Sequence, residues 1–210
     1  YNATHEDLPD VNFVGDPKDP PFSNDHGTAV LSIMGGRPNK WGVKGIAFDA
    51  KYFFAAAKTT TGGYDVGNGV IECTGPLSAG DVIIIEQQTA GPNYDAGDNS
   101  QFGLVPVEWF EPWYDDIVTA VANGMIVVEA GGNGSQNLDS SDYTSGNAGH
   151  HPFKSANDSG AIIVGAGKPP KQGANARSAE SFSSYGSTID LQGWGSDLVS
   201  AGYGDLYPGG

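Results

Sequence analysis

Cysteine, basic residues and long apolar runs are all scarce in this sequence. Cys73 is the only cysteine among 210 residues, so no disulfide can form within the chain. Lys and Arg number 10 against 25 Asp and Glu, and the formal net charge of −15 disfavours nucleic acids and anionic membranes as partners. No apolar run approaches the roughly 20 residues of a membrane span. These scarcities favour a protein that works without disulfides, away from membranes and nucleic acids.

Short apolar runs predict an α/β fold. They occupy residues 52–56, 82–85, 126–128 and 162–164 and lack polar alternation, which is typical of parallel strands covered on both faces. Apolar residues at helical spacing predict a helix over residues 111–123. The order strand, helix, strand predicts a three-layer α/β/α sandwich with a mainly parallel sheet.

One histidine stands out because of the residues around it. His26 lies in the stretch Asn24-Asp25-His26-Gly27-Thr28, where a capping residue precedes a short apolar helix that Gly35-Gly36 ends. Histidine is the side chain best suited to proton transfer near neutral pH. A single His-Gly-Thr match is a weak signal of catalysis by itself.

A second motif follows an apolar strand, which ends in Ala130-Gly131-Gly132-Asn133-Gly134. The glycines allow another backbone or a ligand to approach closely. The Asn133 amide can donate a hydrogen bond at the carboxyl end of a strand, where sites of α/β proteins lie. The alternative interpretation is an ordinary Asn-Gly turn.

Taken in order, the motifs of this chain resemble those of the subtilisin-like serine peptidases. They include His26-Gly27-Thr28, Gly42-Val43-Lys44-Gly45-Ile46-Ala47, Gly80-Asp81-Val82-Ile83-Ile84, Gly131-Gly132-Asn133, Phe182-Ser183-Ser184-Tyr185-Gly186 and Asp190-Leu191-Gln192-Gly193-Trp194-Gly195. The resemblance implies a secreted endopeptidase that acts on peptides or proteins and requires no cofactor. It also implies that His26 is the general base and Asn133 the oxyanion donor. The substrate-binding residues that it implies are Glu86, Gln87, Gln88, Glu129, Ala130, Gly131 and Gly132.

Two motifs of the family are missing from the chain. The family's aspartate would lie before Tyr1, and no Gly-Thr-Ser nucleophile motif occurs anywhere in the sequence. We therefore expect residues 1–210 to be a single subtilisin-like domain that is truncated at both ends and inactive alone, with no signal peptide in this piece. The alternative is a non-catalytic subtilase-like module that binds peptides.

The sequence evidence for metal ligands is weak. His150-His151 are adjacent and precede Pro152, which favours two surface histidines over a metal pair. Residues 37–42 occupy the place of a calcium loop in many relatives, but Lys40 argues against a cation there. Asp95 and Asp98 could hold an ion or be solvated. We assign no residue as a metal ligand and regard structural calcium as possible but doubtful. A metal hydrolase built on His26, His150 and His151 ranks last among the candidate functions.

Glu86 and Glu129 are unusual for the positions that the resemblance gives them, beside the pocket for the residue that precedes the cleaved bond. Small or neutral residues are more common there. The two side chains either point apart towards solvent or a basic partner, or they form one acidic wall or share a proton. We predict that they face one pocket and make it acidic.

Overall fold

The computed structural model describes residues 1–17, 24–145, 150–170 and 176–203. The chain divides into two compact units. One contains the described parts of Tyr1–Gly63 and Leu198–Gly210, and the other is Tyr64–Asp197. The expectation that residues 1–210 form one truncated domain remains a prediction.

The first unit contains strands β1 (Val11–Val14), β2 (Tyr52–Ala55) and β3 (Lys58–Thr59) and helix α1 (Asp25–Gly35). β1 and β2 pair in parallel, with Val11 opposite Tyr52. The sequence predicted the strand at residues 52–56 but not its partner β1. Helix α1 begins at Asp25, next to His26, and ends at Gly35, as the capping pattern predicted.

The second unit is built around a four-stranded parallel sheet. The chain enters this unit within β4 (Gly63–Tyr64), and the following elements are α2 (Val66–Thr74), β5 (Val82–Ile85), β6 (Thr89–Ala90), β7 (Leu104–Val105), the 3₁₀ helix η1 (Val107–Trp109), α3 (Glu111–Ala122), β8 (Ile126–Ala130), α4 (Ser141–Thr144), the 3₁₀ helix η2 (Ser155–Asn157), β9 (Ile162–Gly167) and β10 (Leu191–Trp194). The strand order is β10-β9-β8-β5, and all three pairs are parallel. The α/β class with a mainly parallel sheet is therefore confirmed.

Helix α3 packs against the sheet through the residues that its periodicity selects. Trp113, Ile117 and Ala120 are buried and recur at helical spacing. The indole Nε1 of Trp113 donates to Asp65 Oδ1 at 3.0 Å, and the same oxygen caps α2 by accepting from the amide of Asn68 at 3.1 Å. Asp65 thus joins the start of α2 to α3.

The sheet of the second unit has one buried face and one exposed apolar face. Ile83 and Ile85 of β5 are buried, whereas Val82 and Ile84 between them are 50% and 42% exposed, and Ile126 of β8 is 44% exposed. The apolar runs predicted strands covered on both faces, and for these residues that prediction is wrong. The exposed residues form an apolar surface that most folded proteins would cover.

The long segment after Asn133 contributes a second core. Val105, Leu138, Tyr143 and Phe153 are buried together, and Trp109 and Ile189 pack against them. Trp109 lies parallel to Phe153 and edge-on to Tyr143, with ring centroids 5.8 and 5.3 Å apart. The predicted loop over residues 135–150 is therefore partly ordered by packing, although residues 146–149 of it lie outside the described residues.

We predict that truncation of the two neighbouring isoleucines of β5 has unequal effects. Ile83→Ala removes a side chain that is 6% exposed and should lower the free energy of unfolding by about 2–5 kcal/mol. Ile84→Ala, the matched control, should lower it by about 1 kcal/mol or less because Ile84 is already 42% exposed. Urea denaturation of the purified chain measures both, and equal losses would contradict the assignment of the two faces.

Candidate active site

Asn133 follows β8 and is held by two glutamines. Its backbone amide donates to Gln88 Oε1 at 2.7 Å, and its side-chain Nδ2 donates to Gln101 Oε1 at 2.9 Å. Gln88 Nε2 also donates to Gln101 Oε1, at 3.0 Å. The side-chain nitrogen Nδ2 of Asn133 carries two hydrogens. Gln101 accepts one of them and so fixes the orientation of the side-chain amide, while the second N–H can donate to another acceptor.

An open cleft lies beside Asn133. It has a volume of about 500 Å³. The residues that line it are Gln101, Phe102, Asn133, Ser135 and Phe182. Apolar walls with a few polar donors are typical of ligand-binding clefts. The sequence did not indicate Gln101, Phe102 or Phe182 as part of this site, although residues 90–102 form a long connecting segment of the kind that carries function.

Glycines around Asn133 allow β7 to pack directly against the motif. Gly132 has a φ of +85°, and a Cβ there would lie 2.8 Å from both the Leu104 oxygen and Val105 Cα. A Cβ at Gly134 would lie 2.1 Å from the Leu104 oxygen. The close backbone approach that the glycines predicted is therefore present, and the approaching backbone is that of β7.

The predicted cleft strand brings one of its residues to Asn133. Gln88 binds Asn133 directly, and Gln87 Oε1 accepts a hydrogen bond from the Tyr64 hydroxyl at 2.9 Å. Burial raises the pKa of Tyr64, which keeps this hydroxyl a donor. The substrate-binding roles of Glu86, Gln87 and Gln88 and of residues 130–132 remain predictions.

Glu86 and Glu129 lie in different environments. Glu86 is exposed, whereas Glu129 is 1% exposed. Glu129 is in register with Ile85 of β5 and Ile163 of β9, so its side chain shares the buried face of the sheet with those isoleucines. The prediction of one acidic wall formed by Glu86 and Glu129 is therefore wrong, because the carboxylate of Glu129 has no surface from which to line a pocket.

The carboxyl group that interacts with Glu129 belongs to Glu108, in η1. Glu108 is also 1% exposed, and its Oε2 accepts a hydrogen bond from Ser159 Oγ at 2.6 Å. Burial raises the pKa of Glu108 to about 7, against the Ser159 hydrogen bond, which lowers it. Burial and the neighbouring Glu108 raise the pKa of Glu129 well above its ordinary value. No local pattern connects the two glutamates, because 20 residues lie between them and the burial of Glu108 depends on tertiary packing.

His26 lies in the first turn of α1 and is exposed. Its Nδ1 lies 3.0 Å from the hydroxyl of Tyr203, and the two rings meet edge-on with centroids 6.3 Å apart. Nδ1 is the nitrogen that a carboxylate orients in a serine–histidine–aspartate triad. In this structure a tyrosine hydroxyl takes that contact. His26 belongs to the first unit and Asn133 to the second.

Asp7 organises the segment that the resemblance compared with a calcium loop. Its carboxylate is buried and accepts hydrogen bonds from Asn39 Nδ2 at 2.6 Å and from the Val43 amide at 3.2 Å. The Asp7 side chain thus orders residues 39–43 through protein donors. In the described ranges, no group of three or more His, Cys, Asp or Glu side chains could hold a metal ion.

The remaining candidate ligands contact the backbone. His150 Nε2 lies 2.9 Å from the Glu108 carbonyl oxygen, and His151 Nδ1 lies 3.1 Å from that of Tyr143. Asp95 and Asp98 each accept from an amide two residues ahead, at 2.8 and 2.6 Å. Each side chain thus has a protein partner in a local or packing role.

Comparisons with known proteins identify the family and the fold of the chain. The sequence model of the subtilase family matches residues 1–204, and the chain belongs to that family. Two solved structures share the fold. One is titled as proteases from Pseudoalteromonas arctica PAMC 21717, with 24% identity, a TM-score of 0.51 and coverage of 80% of this chain and 43% of the other. The other is MycP1 with its N-terminal propeptide removed, with 18% identity, a TM-score of 0.54 and coverage of 92% and 65%.

This chain therefore spans less than two thirds of the length of either structure. The search of curated proteins gave no significant match. Helices long and apolar enough to cross a bilayer are not found in the described part of the chain.

We predict that Gly132 tolerates no side chain. Gly132→Ala places a Cβ 2.8 Å from backbone atoms of β7 at a φ of +85°, so it should cost more than the roughly 1–2 kcal/mol of a left-handed alanine alone. Gly80→Ala is the matched control, because Gly80 has a φ of +92° and nothing within 4 Å of its would-be Cβ. Denaturation midpoints compare the two variants, and an equal cost would refute the close packing of β7.

Proposed function

We propose that residues 1–210 are the central part of a secreted serine endopeptidase that cleaves peptide or protein substrates. The observation that carries this proposal is the side-chain amide of Asn133. It lies at the carboxyl end of β8, beside an open cleft, and two glutamines fix its orientation. In a chain of the subtilase family, such an amide is suited to stabilise an oxyanion.

The proposed reaction divides the chemistry among a few groups. His26 takes the proton from a serine hydroxyl and returns it to the leaving amine. The free N–H of Asn133 Nδ2 donates to the oxyanion of the tetrahedral intermediate. The substrate adds as a strand along residues 84–88 through backbone hydrogen bonds, and residues 130–132 lie on the other side of the pocket for the residue that precedes the scissile bond.

The nucleophilic serine and the orienting aspartate come from further chain in this proposal. The exposed apolar face at Val82, Ile84 and Ile126 supports it, because additional polypeptide would bury that surface. Each 100 Å² of apolar surface so covered contributes about 2.5 kcal/mol. The 210-residue chain alone is then both inactive and poorly stable, and Tyr203 takes the contact at His26 Nδ1 that the aspartate makes in the complete enzyme.

The proposal requires no cofactor and no structural metal. The net charge of −15 disfavours nucleic acids and anionic membranes as partners. A second candidate function is a peptide-binding module without catalysis, which the missing Gly-Thr-Ser motif favours. Under that alternative, peptides bind in the Asn133 cleft without turnover.

The test is to label the complete gene product with a fluorophosphonate, which reacts with activated serines, and to assay peptide cleavage in parallel. Labelling and turnover are expected for the complete product and are lost in His26→Ala, whereas the 210-residue chain shows neither. Peptide binding without labelling or turnover in the complete product would overturn the proposal in favour of the binding module.

We further predict a graded response at the amide network of the complete enzyme. Asn133→Leu removes the oxyanion donor and should lower kcat about 10²–10³-fold with KM nearly unchanged. Gln101→Leu leaves the donor but removes the acceptor that orients it, so a smaller fall in kcat is expected. Steady-state kinetics on a chromogenic peptide measure both, and a kcat that is unchanged in Asn133→Leu would contradict the assigned role.

A further inference from the structure

Two buried carboxyl groups meet beneath the end of β8. Glu108 and Glu129 are each 1% exposed, and they shift each other's pKa. Glu129 lies between Ile85 and Ile163 on the buried face of the sheet, so water does not solvate its charge. Two ionised carboxylates in such a place would each lack solvation and would repel one another.

The hydrogen bonds around the pair indicate where a proton resides. Ser159 Oγ accepts from the amide of Ala161 at 3.1 Å and donates its own hydrogen to Glu108 Oε2 at 2.6 Å. Glu108 is thus an acceptor. If both groups are ionised, neither buried oxygen of Glu129 has a hydrogen-bond partner of ordinary geometry among the described residues. A proton on Glu129 removes this deficit, because a neutral carboxyl donates to the adjacent Glu108. Burial and the Glu108 carboxyl group raise the pKa of Glu129, and they outweigh the backbone amides of Glu108 and Val107, which lower it.

We propose that Glu129 stays protonated and donates a hydrogen bond to Glu108, and that this bond is a positioning device for Asn133. It ties η1 to β8 four residues before Asn133, on the face opposite to the exposed apolar surface. Loss of the shared proton with rising pH loosens the carboxyl end of β8. The structural part of this inference is independent of catalysis, and its effect on turnover rests on the proposed function.

The charged surroundings oppose loss of that proton. Asp158 and Asp190 both act to raise the pKa of Glu108. The Tyr114 hydroxyl is neutral at ordinary pH, and its own pKa is raised by burial and by Glu108. The His150 ring contacts the backbone oxygen of Glu108 and not its carboxyl group. The charges described as acting on Glu108 are therefore negative, and they favour the protonated pair.

The direction of the pH effect follows from the raised pKa values. The folded state holds these protons more tightly than the unfolded chain, in which Glu titrates near 4.5. The stabilisation is complete below that pH and is lost as the pH rises through about 7, where Glu108 ionises, and then through the higher pKa of Glu129. Each extra proton held by the folded state raises the unfolding constant up to tenfold per pH unit.

The experiment compares the wild type with Glu129→Gln and with the control Glu86→Gln, which removes an exposed carboxyl next to β5. Two measurements on the purified protein are combined: the infrared carbonyl band of a protonated carboxyl at pH 8, and the unfolding constant in urea from pH 4.5 to 9. The wild type and Glu86→Gln should both show the band and the rise of the unfolding constant with pH. Glu129→Gln should lose the band and flatten the rise, because its amide donates to Glu108 at every pH.

A second variant protects the test if Glu129→Gln does not fold. Ser159→Ala removes the hydrogen bond that lowers the pKa of Glu108, so the first titration step should move to higher pH. Absence of a protonated carboxyl in the wild type at pH 8, or an equal pH dependence in wild type and Glu129→Gln, would overturn the proposal.

The positioning role has its own readout in the active enzyme. As the pH rises through the range in which Glu129 loses its proton, which lies above the pH of about 7 at which Glu108 ionises, kcat of the wild type should fall and that of Glu129→Gln should not, with KM unchanged in both. Parallel pH profiles would refute the positioning role even if the shared proton is present. An inactive gene product that still shows the infrared band and the pH-dependent unfolding would refute the proposed function alone.

Discussion

Strand β8 is hydrogen-bonded on both edges, to β5 on one side and to β9 on the other. Because a strand paired on both sides has little freedom, the residues at its carboxyl end are placed accurately with respect to their neighbours. The amide of Gly131 extends this pairing by donating to the Val164 oxygen at 2.8 Å. Everything that makes Asn133 a candidate catalytic group depends on this constraint: the neighbouring Gln88, the approach of β7 and the buried carboxyl pair.

Two kinds of polar contact meet at the carboxyl end of β8, and they respond differently to pH. The network of Gln88, Gln101 and Asn133 is made of neutral amides at the surface and holds its geometry at any ordinary pH. The pair of Glu108 and Glu129 lies beneath the strand and depends on protonation. Low dielectric strengthens the buried contact when it is satisfied and makes it costly when it is not.

The exposed apolar face of the sheet is energetically unfavourable in water. Val82, Ile84 and Ile126 are the residue types that fold into cores, yet they remain accessible in this chain. The sequence also lacks a Gly-Thr-Ser motif, and the ring of His26 contacts a tyrosine hydroxyl. Under the proposed function, additional polypeptide would bury the apolar surface and supply the serine and the aspartate.

Local sequence patterns were sufficient for helices α1 and α3, for strands β2, β5, β8 and β9, and for the two central motifs. Capping residues and glycines predicted α1 and the position of His26, and apolar runs predicted β2, β5, β8 and β9. Asn133 was identified because its glycines are adjacent to it in the chain. The strand β1, which pairs with β2, carries no comparable apolar run and was not predicted.

Tertiary structure decided the contacts between distant residues. Gln101 lies 32 residues before Asn133, and Glu108 lies 51 residues before Ser159, so no local pattern connects them. The resemblance alone led to the prediction that Glu86 lies beside Glu129. In the folded chain the pleat of the sheet turns Glu129 inward, and the packing of η1 brings Glu108 to it. The sequence by itself thus determined which residue types stand at the strand ends. Only the folded chain decided which of them meet, because burial, and with it the protonation of a carboxyl group, is a property of the packed neighbours.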